Sequence, residues 1–172
     1  LGDTPYPVSL LTQTELRIHA EHSVSRGKAA ILKAWLLKNG SNPQYKEVIN
    51  VQLNEQTNYA PYVLGRLFAV LESLQQKANP GINATIMDRY FNAACATPSI
   101  VFPTLLKLAQ SHLKKLDTGY FIYYDKQMTE LCGRLTDSYP ARLNLQDQGI
   151  FQLGYYHQKQ KFFTKKEENS NV

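Results

Sequence analysis

Val63, Leu67, Val70, Leu71, Leu74 and Ala78 recur at three- and four-residue spacing, the period of a helix that turns one apolar face inward. Asn58 is a candidate cap for this helix, Pro61 is tolerated in its first turn, and Asn79-Pro80-Gly81 supplies the stop. A helix this apolar needs partners of the same kind. The rest of the chain offers them, so the pattern constrains the fold to helix packed on helix.

Ser9 can cap a helix running to about His22, and Ser25 a second from Arg26 to Asn39, closed by Gly40, with Ile31, Ala34 and Trp35 inward. Ile49-Asn50-Val51-Gln52-Leu53 alternates, which predicts a short extended segment near 48–53. Asn83 can start a shorter helix over Ala84 to Ala94. Pro98 and Pro103 bracket the start of the next, which reaches Leu116. On its wheel Leu105, Leu108, Ala109, His112 and Leu116 share one side, and Lys107, Ser111, Lys114 and Lys115 the other. Tyr120 to Leu135 reads as a helix, although its aromatic run is ambiguous with a buried strand. Asn144 caps the last helix, from about Leu145 to Lys165. Its middle, Ile150 to Tyr156, is apolar on most sides and predicts burial between other helices, with the charged end from Lys159 onward in solvent. The expected architecture is an all-α bundle of about six to seven helices in a single domain over 1–166, followed by a frayed tail over 167–172.

The 172 residues are 43% hydrophobic and 19% charged, a balance that suits a folded domain with a core rather than a disordered chain. Apolar runs such as Ala34 to Leu37 fall far short of the roughly 20 residues of a spanning helix, so no membrane partner is expected. Two cysteines make no disulfide framework, and Leu1 to Pro5 shows no secretory signal, so a reducing cytoplasm is the expected setting. Leu1 in place of methionine is compatible with a fragment, a trimmed chain or a non-standard start codon.

A net charge of +5 favours an anionic partner, and its distribution says more. Ser23 to Lys46 holds Arg26, Lys28, Lys33, Lys38 and Lys46 without an acid. Arg89 to Leu116 holds Lys107, Lys114 and Lys115 beside Arg89, and Gln148 to Lys166 holds Lys159, Lys161, Lys165 and Lys166, again without acids. Such windows are often only solvated helix faces. Aromatics lie among them, as Tyr155, Tyr156, Phe162 and Phe163 do around Lys159 and Lys161, and exposed rings can stack on unpaired bases.

Catalytic patterns are sparse. His19 and His22 are three apart on a helix, but no Cys-x-x-Cys or second histidine pair completes a metal site. His112 on an apolar face reads as a core histidine with a carbonyl partner, and His157 has no serine or cysteine nucleophile marked beside it. No phosphate-binding glycine loop occurs. Neither a metal nor a cofactor is expected, and no enzyme activity.

Three stretches carry a family resemblance: Gly65 to Glu72 (GRLFAVLE), Asn79 to Pro103 (NPGINATIMDRYFNAACATPSIVFP) and Leu143 to Phe163 (LNLQDQGIFQLGYYHQKQKFF). In order over nearly the whole chain, they resemble the C-terminal region of the large subunit of the type I-C CRISPR surveillance complex, Cascade. In that family the same region is also made separately, from an internal translation start, as the small subunit. Cys95 stands where the family pattern leads one to expect serine, a difference that touches packing more than function.

The resemblance implies a helical, non-catalytic subunit present in more than one copy. It would lie beside the guide-bearing backbone subunits, which carry the CRISPR RNA, and beside the large subunit. It would hold target DNA in the R-loop, including the displaced strand. Arg66 and Arg89 lie in the matching motifs, but their surroundings favour structural roles. The candidate DNA contacts are Lys28, Lys33, Lys38, Lys107, Lys114 and Lys115, with Lys159, Lys161 and Lys165 as a second patch. Two other readings stand beside this one: a scaffold that bridges subunits without touching DNA, and the C-terminal domain of the large subunit.

Overall fold

A computed structural model describes residues 5–17, 21–39, 43–49, 53–135 and 138–170. Among them are eight helices and no strand: α1 (Val8–Arg17), α2 (Glu21–Asn39), α3 (Gln44–Ile49), α4 (Ala60–Ala78), α5 (Ile86–Ala96), α6 (Pro98–Leu113), α7 (Thr118–Gly133) and α8 (Leu145–Ser170). The all-α bundle is therefore as expected. No helix among the described residues is long and apolar enough to cross a membrane.

The centre is the pair α4 and α8. Every side chain from Pro61 to Glu72 is buried, because α4 has α8 on one side and α6 and α7 on the other. Gly65 and Gly154 let the two helices touch at the backbone. A Cβ on Gly65 would lie 2.8 Å from the Phe151 carbonyl carbon, and one on Gly154 would lie 3.2 Å from the Tyr62 Cα. Phe68 is the hub of the core, edge-on to Phe91, Phe151 and Tyr155 at centroid distances of 5.4, 6.1 and 6.1 Å. On the far side of α8, α2 adds Ala29, Leu32, Trp35 and Leu36.

Several boundaries differ from the sequence reading, each for a local reason. Val48 and Ile49 close α3 instead of opening an extended segment, since with Tyr45 they form a helical triplet that buries against α2 and α8. Leu53 is irregular, and residues 50–52 lie outside the described set. Ser25 caps nothing: α2 begins at Glu21, and Ser25 is buried inside it. His22 accordingly belongs to α2 and not to the end of α1. Trp35 is buried as expected, but Ala34 is exposed and Leu32 takes the inward place. Gly40 lies outside the described residues.

Tyr59, not Asn58, is the N-cap of α4, without a side-chain bond. Asn54 instead turns the chain, its Oδ1 accepting from the N–H groups of Gln56 and Thr57. Thr85, not Asn83, caps α5 through a capping box with Asp88. Pro98 opens α6 as expected, whereas Pro103 lies within it, exposed, at the loss of one intrahelical bond. The inward line of α6 runs through Val101, Phe102, Leu105, Ala109 and Leu113, while Leu108 is exposed.

The aromatic run from Tyr120 is helical, and Asp117 caps it by accepting from the Tyr120 N–H. Asn144 does cap α8, accepting from the Asp147 N–H at 2.8 Å. The buried middle of α8 reaches Lys159, three residues beyond the predicted apolar stretch, because α4 and α2 flank that far along. The helix then continues to Ser170, so 167–170 are helical rather than a tail, in keeping with the good helix propensity of Lys165, Lys166, Glu167 and Glu168.

Candidate nucleic-acid interface

The outer face of α6 carries a row of cations. Lys107 and Lys114 are seven residues apart, which puts them on one face about 10 Å along the axis, with Ser111 between them. Lys107, Lys114 and Lys115 are exposed. The last two stand at the C-terminal end of the helix, where the macrodipole favours positive charge. Lys115 Nζ donates to Asn79 Oδ1 at 2.7 Å, and Asn79 Nδ2 lies 3.1 Å from His112 Nδ1. Those contacts tie the end of α6 to the end of α4. His112 is thus half-buried against an amide, rather than a core residue bonded to a carbonyl. Burial and the nearby Lys115 lower its pKa.

The same end holds two residues that sequence reasoning passed over. Lys77, in the last turn of α4, lies 3.8 Å from the centroid of the Tyr120 ring at the start of α7. Its contact with Tyr120 raises the pKa of the ammonium group. Lys77, Lys114, Lys115 and the partly exposed Tyr120 therefore share the end where α4 and α6 stop and α7 starts. Each was visible in the sequence, but only the packing of α6 and α7 on α4 joins them. Lysines hold phosphate oxygens without reading base order, and exposed rings offer a stacking surface.

The other predicted lysines are dispersed. Lys38 is exposed at the end of α2, and Lys33 is half-buried with its pKa lowered by desolvation. Lys28 is buried, with Nζ 5.5 Å from the Tyr156 ring centroid, which corrects the expectation that it faces solvent. Lys159 is likewise buried, 3.4 Å from Glu72 Oε2, which also accepts from the Tyr155 hydroxyl at 2.7 Å. Glu72, a lone acid on an apolar helix, was the sequence signal for a buried ion pair. Lys161 is partly buried and paired with Glu55. Lys165 belongs to α8, and its side chain lies outside the described residues. The second patch is therefore not a continuous free basic face.

Arg66 takes the structural position its context suggested. It donates to Gln158 Oε1 at 3.0 Å and to the Asn54 carbonyl at 3.1 Å. Asp88 is used in the α5 cap, and Arg89 is exposed. His157 shares a 2.7 Å hydrogen bond with the Tyr62 hydroxyl and is 1% exposed. Burial, then Lys33 and Arg66, lower its pKa to about 3, so the ring is neutral at pH 7. Cys95 is buried, as its small side chain suggested, and burial pushes its thiol up to about 12. His19 lies outside the described residues, as does the His22 side chain. Among the described residues no group of three or more histidine, cysteine or acidic residues could hold a metal ion.

The fold and this surface define an all-helical protein with a basic, aromatic-edged end. Residues 1–163 match the family model described as CRISPR-associated protein (Cas_Csd1), and the chain belongs to that family. The resemblance seen in the three sequence stretches thus holds for the CRISPR-associated family. A search of curated proteins gave no match.

Proposed function

We propose that the chain is a non-catalytic subunit of a type I-C CRISPR RNA-guided surveillance complex, acting in the bacterial cytoplasm as the small subunit or as the C-terminal domain of the large one. It stabilises target DNA in the R-loop, including the displaced strand, through sequence-independent backbone contacts. Its neighbours are the CRISPR RNA-bearing backbone subunits, the large subunit and further copies of itself.

The observation that carries this reading is the exposed row Lys107, Lys114 and Lys115, joined at one end of the bundle by Lys77 and Tyr120. Base order would be read by the guide, which leaves the protein to hold phosphates. Reversing Lys107, Lys114 and Lys115 to glutamate should weaken R-loop formation and reduce the magnitude of its log–log salt slope by about 2 to 3, as three phosphate contacts are lost. Unchanged R-loops in fully assembled complexes would remove this row from the interface.

The scaffold reading has its own observation. Ile100 on α6 and Phe121 and Ile122 on α7 are exposed at 71, 40 and 59%. If the lysine variants fail to assemble while assembled complexes bind DNA normally, the chain bridges subunits instead.

A further inference from the structure

A cavity of about 290 Å³ lies beside α7, between α4 and the loop that precedes it, with Lys161 of α8 at its edge. Its inner end is polar. Arg66 is 4% exposed, and two of a guanidinium's five donors meet neutral oxygens, on Gln158 and Asn54. Among the described residues no carboxylate forms a direct ion pair with it, although the charge of Glu130, in the same lining, acts on it. Glu55 is engaged by Lys161, and Glu130 by Arg134 at 3.3 Å. Gln127 also lines the cavity, and its buried Nε2 has no hydrogen-bond partner.

A buried donor without an acceptor, as the Gln127 amide is, costs stability unless something supplies one. The walls are mixed: Ile122, Tyr123 and Leu131 give an apolar side, and the carboxylates of Glu55 and Glu130 also line it, each engaged by a cation. Tyr123 is braced edge-on by Tyr124 at a centroid distance of 5.1 Å, and the Tyr124 and Ser73 hydroxyls share a 2.9 Å hydrogen bond. Lys126 is exposed and lines the same cavity.

We infer that this cavity receives one unpaired nucleobase of a bound DNA strand. A planar ring fits between Tyr123 and the aliphatic walls, and its polar edge meets Arg66 and the Gln127 amide, an arrangement that recognises unstacked bases. The adjoining phosphate faces Lys126, which is exposed at the cavity. The volume is just below the roughly 300–1,000 Å³ of small-ligand sites, room for a ring but generous for a lone carboxylate. This rests on the proposed DNA-binding function and adds a base contact to its backbone contacts.

The test measures binding of a labelled oligo(dT) strand, and of the same strand with abasic sites, to the full chain. The intact strand should bind about tenfold more tightly, the lower part of the range for one stacked base. Gln127→Leu and Tyr123→Ala should each abolish most of that difference, with affinity for the abasic strand and its salt slope unchanged. Gln127→Leu should leave the melting temperature unchanged or raise it, because it removes an unsatisfied amide. Equal binding of intact and abasic strands by the unaltered chain overturns the base pocket and leaves backbone binding standing. Retained discrimination in both variants also overturns it. Absence of binding to either strand overturns both readings. Binding of a hexaglutamate peptide that Gln127→Leu abolishes, without effect on oligo(dT), overturns the inference and assigns the cavity to a protein partner.

Discussion

Gly65→Ala tests the central packing of the bundle at a single atom. The new Cβ would lie 2.8 Å from the Phe151 carbonyl carbon and 2.9 Å from the Tyr155 nitrogen, and closer still to the Phe151 oxygen. All three are backbone atoms of α8, so no side chain can swing away. Relief requires α4 and α8 to part by more than half an ångström, and this loosens the contacts of Phe68 with Phe151 and Tyr155 on the same face. Overpacking of this kind costs typically about 1–3 kcal/mol, and the backbone obstacle places Gly65 at or above the upper end. The better helix propensity of alanine returns up to about 1 kcal/mol, leaving a net loss of about 2 kcal/mol or more. For a chain of this length that is a fall in Tm of roughly 4–8 °C. Gly133→Ala is the control, since nothing lies within 4 Å of its added Cβ. Thermal unfolding followed by circular dichroism should separate the two. A Gly65→Ala protein as stable as the parent would refute the close α4–α8 approach.

Other consequences follow from the buried polar groups. His157 has a pKa near 3 in the fold against an ordinary 6.5, so the unfolded chain takes up the proton first as pH falls. Stability from this group is full above pH 6.5 and is lost toward pH 3, with about 2 kcal/mol gone by pH 5. Denaturation midpoints at pH 7.5 and 5 should show that loss, and His157→Gln should shrink it; an unaltered pH dependence in the variant would place the titration elsewhere. Glu72→Ala removes the carboxylate that meets the buried Lys159 ammonium and accepts from the Tyr155 hydroxyl, and should destabilise by about 3–5 kcal/mol in urea titration. Glu72→Gln, which keeps an acceptor for Tyr155, should lose less; equal losses would mean that the hydrogen bond contributes nothing.

The helices were legible where one residue pattern served one purpose. In α4 the periodic Val63, Leu67, Val70 and Leu74 sufficed because apolar side chains have no alternative use there. Caps were harder: Asn58, Asn83 and Ser25 all have the right side chain, yet only Asn144 caps among the asparagines proposed, since capping depends on where the chain enters the helix. Ile49 opens the alternating run Ile49-Asn50-Val51-Gln52-Leu53, but a six-residue helix buries it together with Val48, and local alternation cannot signal that. Lysine exposure depends on partners even more. Lys159 looks solvent-bound until Glu72, 87 residues away in sequence, is placed against it. Conversely, Lys77 and Tyr120 mean little separately and become one feature only through the α4–α7 contact.

The most direct test of the proposed role is R-loop formation by a type I-C complex assembled without its separately made small subunit, measured before and after this chain is added. The account predicts rescue by the unaltered chain, and rescue that is weaker and less salt-sensitive with Lys107, Lys114 and Lys115 reversed to glutamate. Full rescue by the reversed variant, with an unchanged salt slope, would contradict it.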